Sequence, residues 1–148
     1  MATINGSAVN DIIFGTRKAD IINGGGSRDY ISAGGGDDWI NGGLGTDILN
    51  GGKGFDTFFF GRLHDADVIE DFGPLDTIDL GEGIDLYFTT EVASGVRIAT
   101  VDLDYTADLV QGSIILNGVT VDEWKSWGGA FGSDAFYVSN YNSGTLIV

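Results

Sequence analysis

The sequence predicts an all-β chain, a parallel β-roll of stacked coils continued into an irregular β-stranded C-terminal cap. Three observations carry the prediction: aspartates at a fixed nine-residue spacing, 25 glycines among 148 residues, and short alternating or apolar runs through the second half. Charge and composition narrow the function. With 22 acidic against 7 basic side chains the net charge is −15, which excludes a nucleic-acid binder. The absence of cysteine removes disulfides, thiolate metal sites and a cysteine nucleophile, leaving oxygen ligands and the single imidazole of His64. Of the acids, 18 are Asp and 4 are Glu, a balance that favours turns over helices.

The repeat comes first. Asp11, Asp20, Asp29, Asp38, Asp47 and Asp56 fall in one phase, and the units read GSAVNDIIF, GTRKADIIN, GGGSRDYIS, AGGGDDWIN, GGLGTDILN and GGKGFDTFF. The shared pattern is G-G-x-G-x-D-x-U-x, where the U column is Ile13, Ile22, Ile31, Ile40, Leu49 and Phe58. Nine residues supply a six-residue turn and a three-residue strand, so two units make one coil of 18 residues. Strand alternation sends each U side chain into a narrow interior. Successive coils stack about 4.8 Å apart, which places Asp11, Asp29 and Asp47 on one edge and Asp20, Asp38 and Asp56 on the other.

Carboxylates about 5 Å apart repel by roughly 3 kcal/mol at an effective dielectric near 20, a heavy load for a domain worth about 5 to 15 kcal/mol in total. Glycine-rich turns offer backbone carbonyls beside them, and carboxylate plus carbonyl oxygens in a flexible loop are the ligand set of calcium. Magnesium fits less well because it demands octahedral geometry and keeps its waters. Metal is therefore expected between coils, coupled to folding.

These units resemble the RTX family of calcium-binding nonapeptides. The resemblance implies a parallel β-roll binding several Ca²⁺ ions, each held by carbonyls at positions 1 and 3 plus the Asp of one turn and carbonyls at positions 2 and 4 plus the Asp of the next. One edge then pairs Gly24, Gly26 and Asp29 with Gly43, Gly45 and Asp47, and the other pairs Ala33, Gly35 and Asp38 with Gly52, Gly54 and Asp56. Two further sites are expected to be weak or distorted: Gly6, Ala8 and Asp11 with Gly25, Ser27 and Asp29, and Gly15, Arg17 and Asp20 with Gly34, Gly36 and Asp38. Their first turns hold Val9 and Lys18 at position 4, where a positive φ is disfavoured. Asp65 keeps the phase, but its unit loses the later glycines and the apolar U residue, so the array is expected to end near Phe60.

Residues 1–61 thus form the roll and residues 62–148 the cap. Runs at 67–72, 76–80, 84–90, 95–101 and 112–121 read as strands separated by turns such as Gly73-Pro74 and Asn117-Gly118. Phe58, Phe60, Ile69, Phe72, Ile78 and Leu80 are expected to be buried. The segment DTFFF, continued by DVIEDFGPLDTIDL, resembles the stretch C-terminal to the repeats in serralysin-type secreted proteases and in the R-modules of mannuronan C5-epimerases. After Lys125 only Asp134 is charged. In the resembled family such a charge-poor end with a terminal apolar cluster serves type I secretion, and MATINGSAVN has neither the basic nor the apolar region of an N-terminal secretory signal. The expected location is extracellular, with no membrane span.

One residue before each U position lies an outward apolar stripe: Ile12, Tyr30 and Ile48 on one sheet, and Ile21, Trp39 and Thr57 on the other. The cap is expected to cover these stripes; the alternatives are a partner chain through self-association, or an extracellular polysaccharide contacted by Tyr30 and Trp39 and, if anionic, helped by Arg17, Lys18, Arg28 and Lys53. Catalysis has little support: neither H-E-x-x-H nor G-x-S-x-G occurs. Paired acids such as Glu70 with Asp71, or Asp102 with Asp104, read as solvated strand residues or extra calcium ligands, and His64 as a surface residue closing the array. The reading is a non-catalytic calcium-binding module that folds outside the cell when Ca²⁺ arrives, with a polysaccharide-binding module of a carbohydrate-active enzyme or a calcium-dependent surface assembly as alternatives.

Overall fold

A computed structural model describes residues 1–62, 64–81, 84–102, 112–127 and 145–146. A strand that lies before the repeat units, β1 (Thr3–Asn5), opens the chain, and the strand triplets predicted by the repeat form as β2 (Ile12–Phe14), β3 (Ile21–Gly26), β4 (Tyr30–Ser32), β5 (Trp39–Leu44), β6 (Ile48–Asn50) and β7 (Thr57–Phe60). After them come β8 (Ala66–Ile69), β9 (Thr77–Leu80), β10 (Ile84–Val92), β11 (Gly95–Asp102), β12 (Gly112–Asn117), α1 (Val121–Ser126) and β13 (Thr145–Leu146). Odd and even strands of the roll separate into two parallel sheets, one ordered β1-β3-β5-β7-β9-β13 and the other β10-β11-β12-β8-β6-β4-β2. Register obeys the repeat: Ile21 pairs with Trp39 and Trp39 with Thr57, while Ile12 pairs with Tyr30 and Tyr30 with Ile48.

Between the sheets runs a single file of fully enclosed side chains: Ile22, Ile31, Ile40, Leu49, Phe58, Ile69 and Ile78. Each contributes about 1.5 to 3 kcal/mol by leaving water. Phe60, Phe72 and Leu80 are buried as well, so all six residues named for the core around the end of the array lie inside. The file broadens at the C-terminal end, where Val96, Ile98, Ile114, Leu116 and Trp124 join it. Phe72 links the two parts, its ring 6.1 Å from Phe58 and 6.4 Å from both Trp124 and Trp127.

The stacking does not stop at Phe60. β8 lies on β6 and β9 on β7, but Thr57 pairs with Thr77 and Ile48 with Val68, a step of 20 residues in place of 18. Two extra residues between β7 and β8 produce the change, and Asp65, although in phase, is exposed beside the ladder while Asp67 takes the position on it. Beyond this coil the even sheet turns antiparallel: β12 runs parallel to β8, then β11 and β10 fold back upon it. The run 112–121 ends as a strand at Asn117. Gly118, with φ of 79°, breaks it, and Thr120 and Glu123 form a reciprocal capping box that starts α1. The charge-poor tail expected to direct secretion lies outside the described residues apart from the short pairing of β13 with β9; Asp104 and Asp134 lie outside them too.

Candidate metal centre

Along each edge of the roll the aspartates form a hydrogen-bonded ladder. The backbone N–H of each one donates to Oδ1 of the aspartate one coil later: Asp11 to Asp29 at 2.9 Å, Asp29 to Asp47 at 2.8 Å and Asp47 to Asp67 at 2.9 Å. On the opposite edge Asp20 donates to Asp38 at 2.7 Å, Asp38 to Asp56 at 3.0 Å and Asp56 to Asp76 at 3.1 Å. Six of these eight carboxylates belong to the nonapeptide phase. Asp67 and Asp76, which it misses, were legible as the D-x-U triplets DVI and DTI, nine residues apart.

The second oxygen is the informative one. Among the described residues, Oδ2 of Asp29, Asp38 and Asp47 is buried and has no hydrogen-bond partner. An ionised carboxylate oxygen enclosed without a donor costs several kcal/mol. Burial accordingly pushes the Asp29 and Asp38 carboxyls upward, helped by repulsion from the preceding aspartate. It drives Asp47 and Asp56 to about 6, with Asp67 and Asp29 adding repulsion to the first and Asp76 and Asp38 to the second. Asp76 is pushed up by burial as well. Among the described residues no three His, Cys, Asp or Glu side chains converge on one point. A cation here must take most of its ligands from the backbone.

Glycine supplies that backbone. Positions 2 and 4 of the four turns from 24 to 56 have positive φ, at Gly25, Gly34, Gly43 and Gly52 and at Ser27, Gly36, Gly45 and Gly54. Stacking is so close that a Cβ on Gly43 would strike the Gly25 carbonyl, and one on Gly52 the Gly34 carbonyl. Parallel stacking alternates the carbonyls. Those of Gly25, Ser27, Gly34 and Gly36 face the following coil, whereas those of Ala33, Gly42, Gly51 and Lys53 face the preceding one. The gap between turns 24–29 and 42–47 is therefore faced by Gly25, Ser27 and Gly42, and that between 33–38 and 51–56 by Gly34, Gly36, Gly51 and Lys53. The resemblance assigned each gap the other half of the carbonyls from the same turns. Carboxylates lacking a partner, oxygen-lined turns and no nitrogen or sulfur ligand suit a hard cation of calcium's size.

The first coil differs. Ser7 donates from both N and Oγ to Oδ2 of Asp11, each at 2.7 Å, and Thr16 does the same for Asp20 at 2.8 and 2.7 Å. The Thr16 hydroxyl and the Ala2 N–H hold the Asp20 carboxyl below the ordinary aspartate range. At the other end His64 is buried, not on the surface as expected. Its Nδ1 lies 3.3 Å from Oδ2 of Asp67 and its Nε2 2.8 Å from Oγ1 of Thr100. Hydroxyl, imidazole and carboxylate stand in the order of a hydrolytic triad, but all three residues are buried, so the chain ties β11 to the last coil. Asp71, read as a solvated acid or extra ligand, accepts the N–H groups of Gly51 and Gly52 at 2.9 and 2.7 Å.

Of the stripe residues, Ile12 is exposed while Tyr30, Ile48, Ile21, Trp39 and Thr57 are half-buried, and the Trp39 ring lies 5.1 Å from that of Phe59. Arg17, Lys18, Arg28 and Lys53 are exposed on the turns.

Residues 5–40 and 25–58 match the family model of the RTX calcium-binding nonapeptide repeat (4 copies). The chain is similar to the solution structure of the AlgE6R3 subunit of an Azotobacter vinelandii mannuronan C5-epimerase, with 28% identity and a TM-score of 0.59 over 91% of this chain and 86% of that one. No match was found among curated proteins.

Proposed function

We propose, from the premise that residues 5–58 are RTX calcium-binding nonapeptide repeats, that this chain is a non-catalytic extracellular module whose roll closes when Ca²⁺ enters between its coils. In this reading residues 1–61 carry the ions and residues 62–148 cap the roll, with export by the type I route preceding folding. The supporting observation is the enclosed oxygens on Asp29, Asp38 and Asp47, which no group among the described residues satisfies. Calcium, when bound, supplies the positive charge those oxygens lack. Asp29 with Asp47, and Asp38 with Asp56, are the pairs that would hold it, together with carbonyls of turns 24–29, 33–38, 42–47 and 51–56. The chain's own part is to place the carboxylates by the ladder of Asp N–H to Oδ1 bonds and to keep the turn carbonyls within reach through positive-φ glycines. Calcium added at neutral pH should raise the β circular dichroism and chelator should reverse it. An identical, cooperatively melting fold in chelator and in calcium would reject the reading.

A second reading, polysaccharide binding, is favoured by the likeness to an epimerase subunit together with the outward Trp39–Phe59 pair. Aromatic faces of this kind stack on sugar rings, and the exposed Arg17, Lys18 and Lys53 suit an acidic polymer. Calorimetry with alginate in saturating calcium tests it: Trp39→Ala and Tyr30→Ala should weaken binding, and absence of heat with the unaltered protein would reject it.

A further inference from the structure

Resting on the calcium reading above, we infer that the first coil closes without metal, because Ser7 and Thr16 satisfy the carboxylate oxygens that are left for ions in the middle of the roll. The same atom has two fates. In turns 6–11 and 15–20, Oδ2 of Asp11 and Asp20 each accepts two hydrogen bonds from the residue at position 2, one from its N–H and one from its hydroxyl. In turns 24–29, 33–38 and 42–47 the equivalent oxygen is enclosed and accepts none.

Backbone conformation decides between them. Ser27 is the only non-glycine residue with positive φ among the described residues, so Ser7, Val9, Thr16 and Lys18 keep the ordinary negative φ. That conformation aims the position-2 N–H at the carboxylate, and the hydroxyl completes the cap by also accepting the position-4 N–H: Lys18 to Thr16 Oγ1 at 3.1 Å and Val9 to Ser7 Oγ at 3.4 Å. With glycine at position 2 and glycine or Ser27 at position 4, φ is positive, the N–H leaves the carboxylate, and the oxygen is free for an ion. The far end is closed in kind. Oδ2 of Asp76 accepts the Gly73 N–H at 2.8 Å, and that of Asp67 meets His64. Protein groups thus seal both ends of each ladder and confine the ions to the coils between.

Ion counting at saturation by native mass spectrometry, with calcium titration monitored by circular dichroism, tests the inference on the full chain. Asp20→Asn should leave the number of bound ions unchanged, whereas Asp38→Asn should lower it. Thr16→Gly/Lys18→Gly, which rewrites the turn as G-G-R-G-A-D, should add one ion. Thr16→Val removes only the hydroxyl. It should keep the count and raise the calcium concentration for half-maximal folding by roughly two- to fourfold, the effect of losing one charge-assisted hydrogen bond shared over a few ions. Loss of an ion in Asp20→Asn, or an unaltered count in a folded Thr16→Gly/Lys18→Gly protein, would overturn it. If the glycine variant does not fold, the Asp20→Asn and Asp38→Asn counts decide. An unaltered protein that binds no calcium at all would instead sink the calcium reading beneath it.

Discussion

The coils from 24 to 60 and the coil from 61 to 80 share strands but not turns. Both carry D-x-U triplets, both stack in parallel register, and both send the U residue into one continuous core. Only the earlier ones carry glycine-rich turns with positive φ at positions 2 and 4. In the last coil side chains take over: the His64 imidazole meets the Asp67 carboxylate, and the Asp71 carboxylate accepts the N–H groups of Gly51 and Gly52 in the coil before. The nonapeptide is therefore two separable devices. The strand half builds the roll, and in the function proposed above the turn half makes the roll depend on a cation.

If the strand half is continuous, core deletions should hurt equally on both sides of residue 61. Phe58→Ala is expected to cost about 3 to 5 kcal/mol and Ile78→Ala about 2 to 5 kcal/mol, read from denaturant melts in saturating calcium. An Ile78→Ala loss below about 1 kcal/mol would make the last coil a loosely attached flap and break the comparison.

The turn half should instead separate the two regions. Gly43 has φ of 98° and a Cβ there would run into the Gly25 carbonyl, so Gly43→Ala should cost about 2 to 3 kcal/mol through backbone strain and displaced coils and raise the calcium requirement. Gly73 has only Oδ2 of Asp76 nearby, at 3.7 Å from an added Cβ, and Gly73→Ala should stay within about 1 kcal/mol. Equal penalties would mean that the glycine turns serve packing alone.

Acid should substitute for calcium in the repeats. Burial raises the Asp47 and Asp56 carboxyls to about 6, so between the ordinary aspartate range and that value the folded chain binds more protons than the unfolded one. Stability without calcium consequently falls as pH rises through this window, by on the order of 2 kcal/mol for each of the two groups, and the loss is complete above it. In chelator the roll should be more stable at pH 5 than at pH 7. In calcium the trend should reverse, because protons compete with the ion for the same oxygens. A chelator-treated protein whose melting does not change between these pH values would show that the carboxylates are not enclosed.

Much of this was legible in the sequence because each signal was local. The nine-residue phase fixed the strands, the U column fixed the core, and Val9 and Lys18 marked the first coil as irregular. The features that escaped depended on partners distant in the chain. Asp65 kept the phase while Asp67 took its place on the ladder, since two inserted residues are absorbed by a turn whose length the pattern does not constrain. His64 reads as polar and terminal, yet Asp67 and Thr100 enclose it from either side. Carbonyl direction is set by the stacking of whole coils and is invisible in any one unit. Helix α1 was missed although its capping signal, Thr120 and Glu123, is in plain view, because Val119 and Val121 continue the apolar run of β12.

That helix allows the finest test. Thr120 accepts the Glu123 N–H at 3.2 Å while the Glu123 carboxylate accepts the Thr120 N–H at 2.9 Å. Their product is a six-residue helix that lays Trp124 into the core against Phe72. So short a helix gains little from its own hydrogen bonds and depends on its cap and on the packing of Trp124. Thr120→Ala should cost about 1 kcal/mol, seen as a lower melting temperature in calcium. Its calcium midpoint should move far less than that of Gly43→Ala, because the capping bonds that Thr120 makes run to Glu123 within the helix. A midpoint shift as large as that of Gly43→Ala would mean that closing the cap and filling the ion sites are one cooperative event, and that the strand and turn devices are coupled through Phe72 and Phe58.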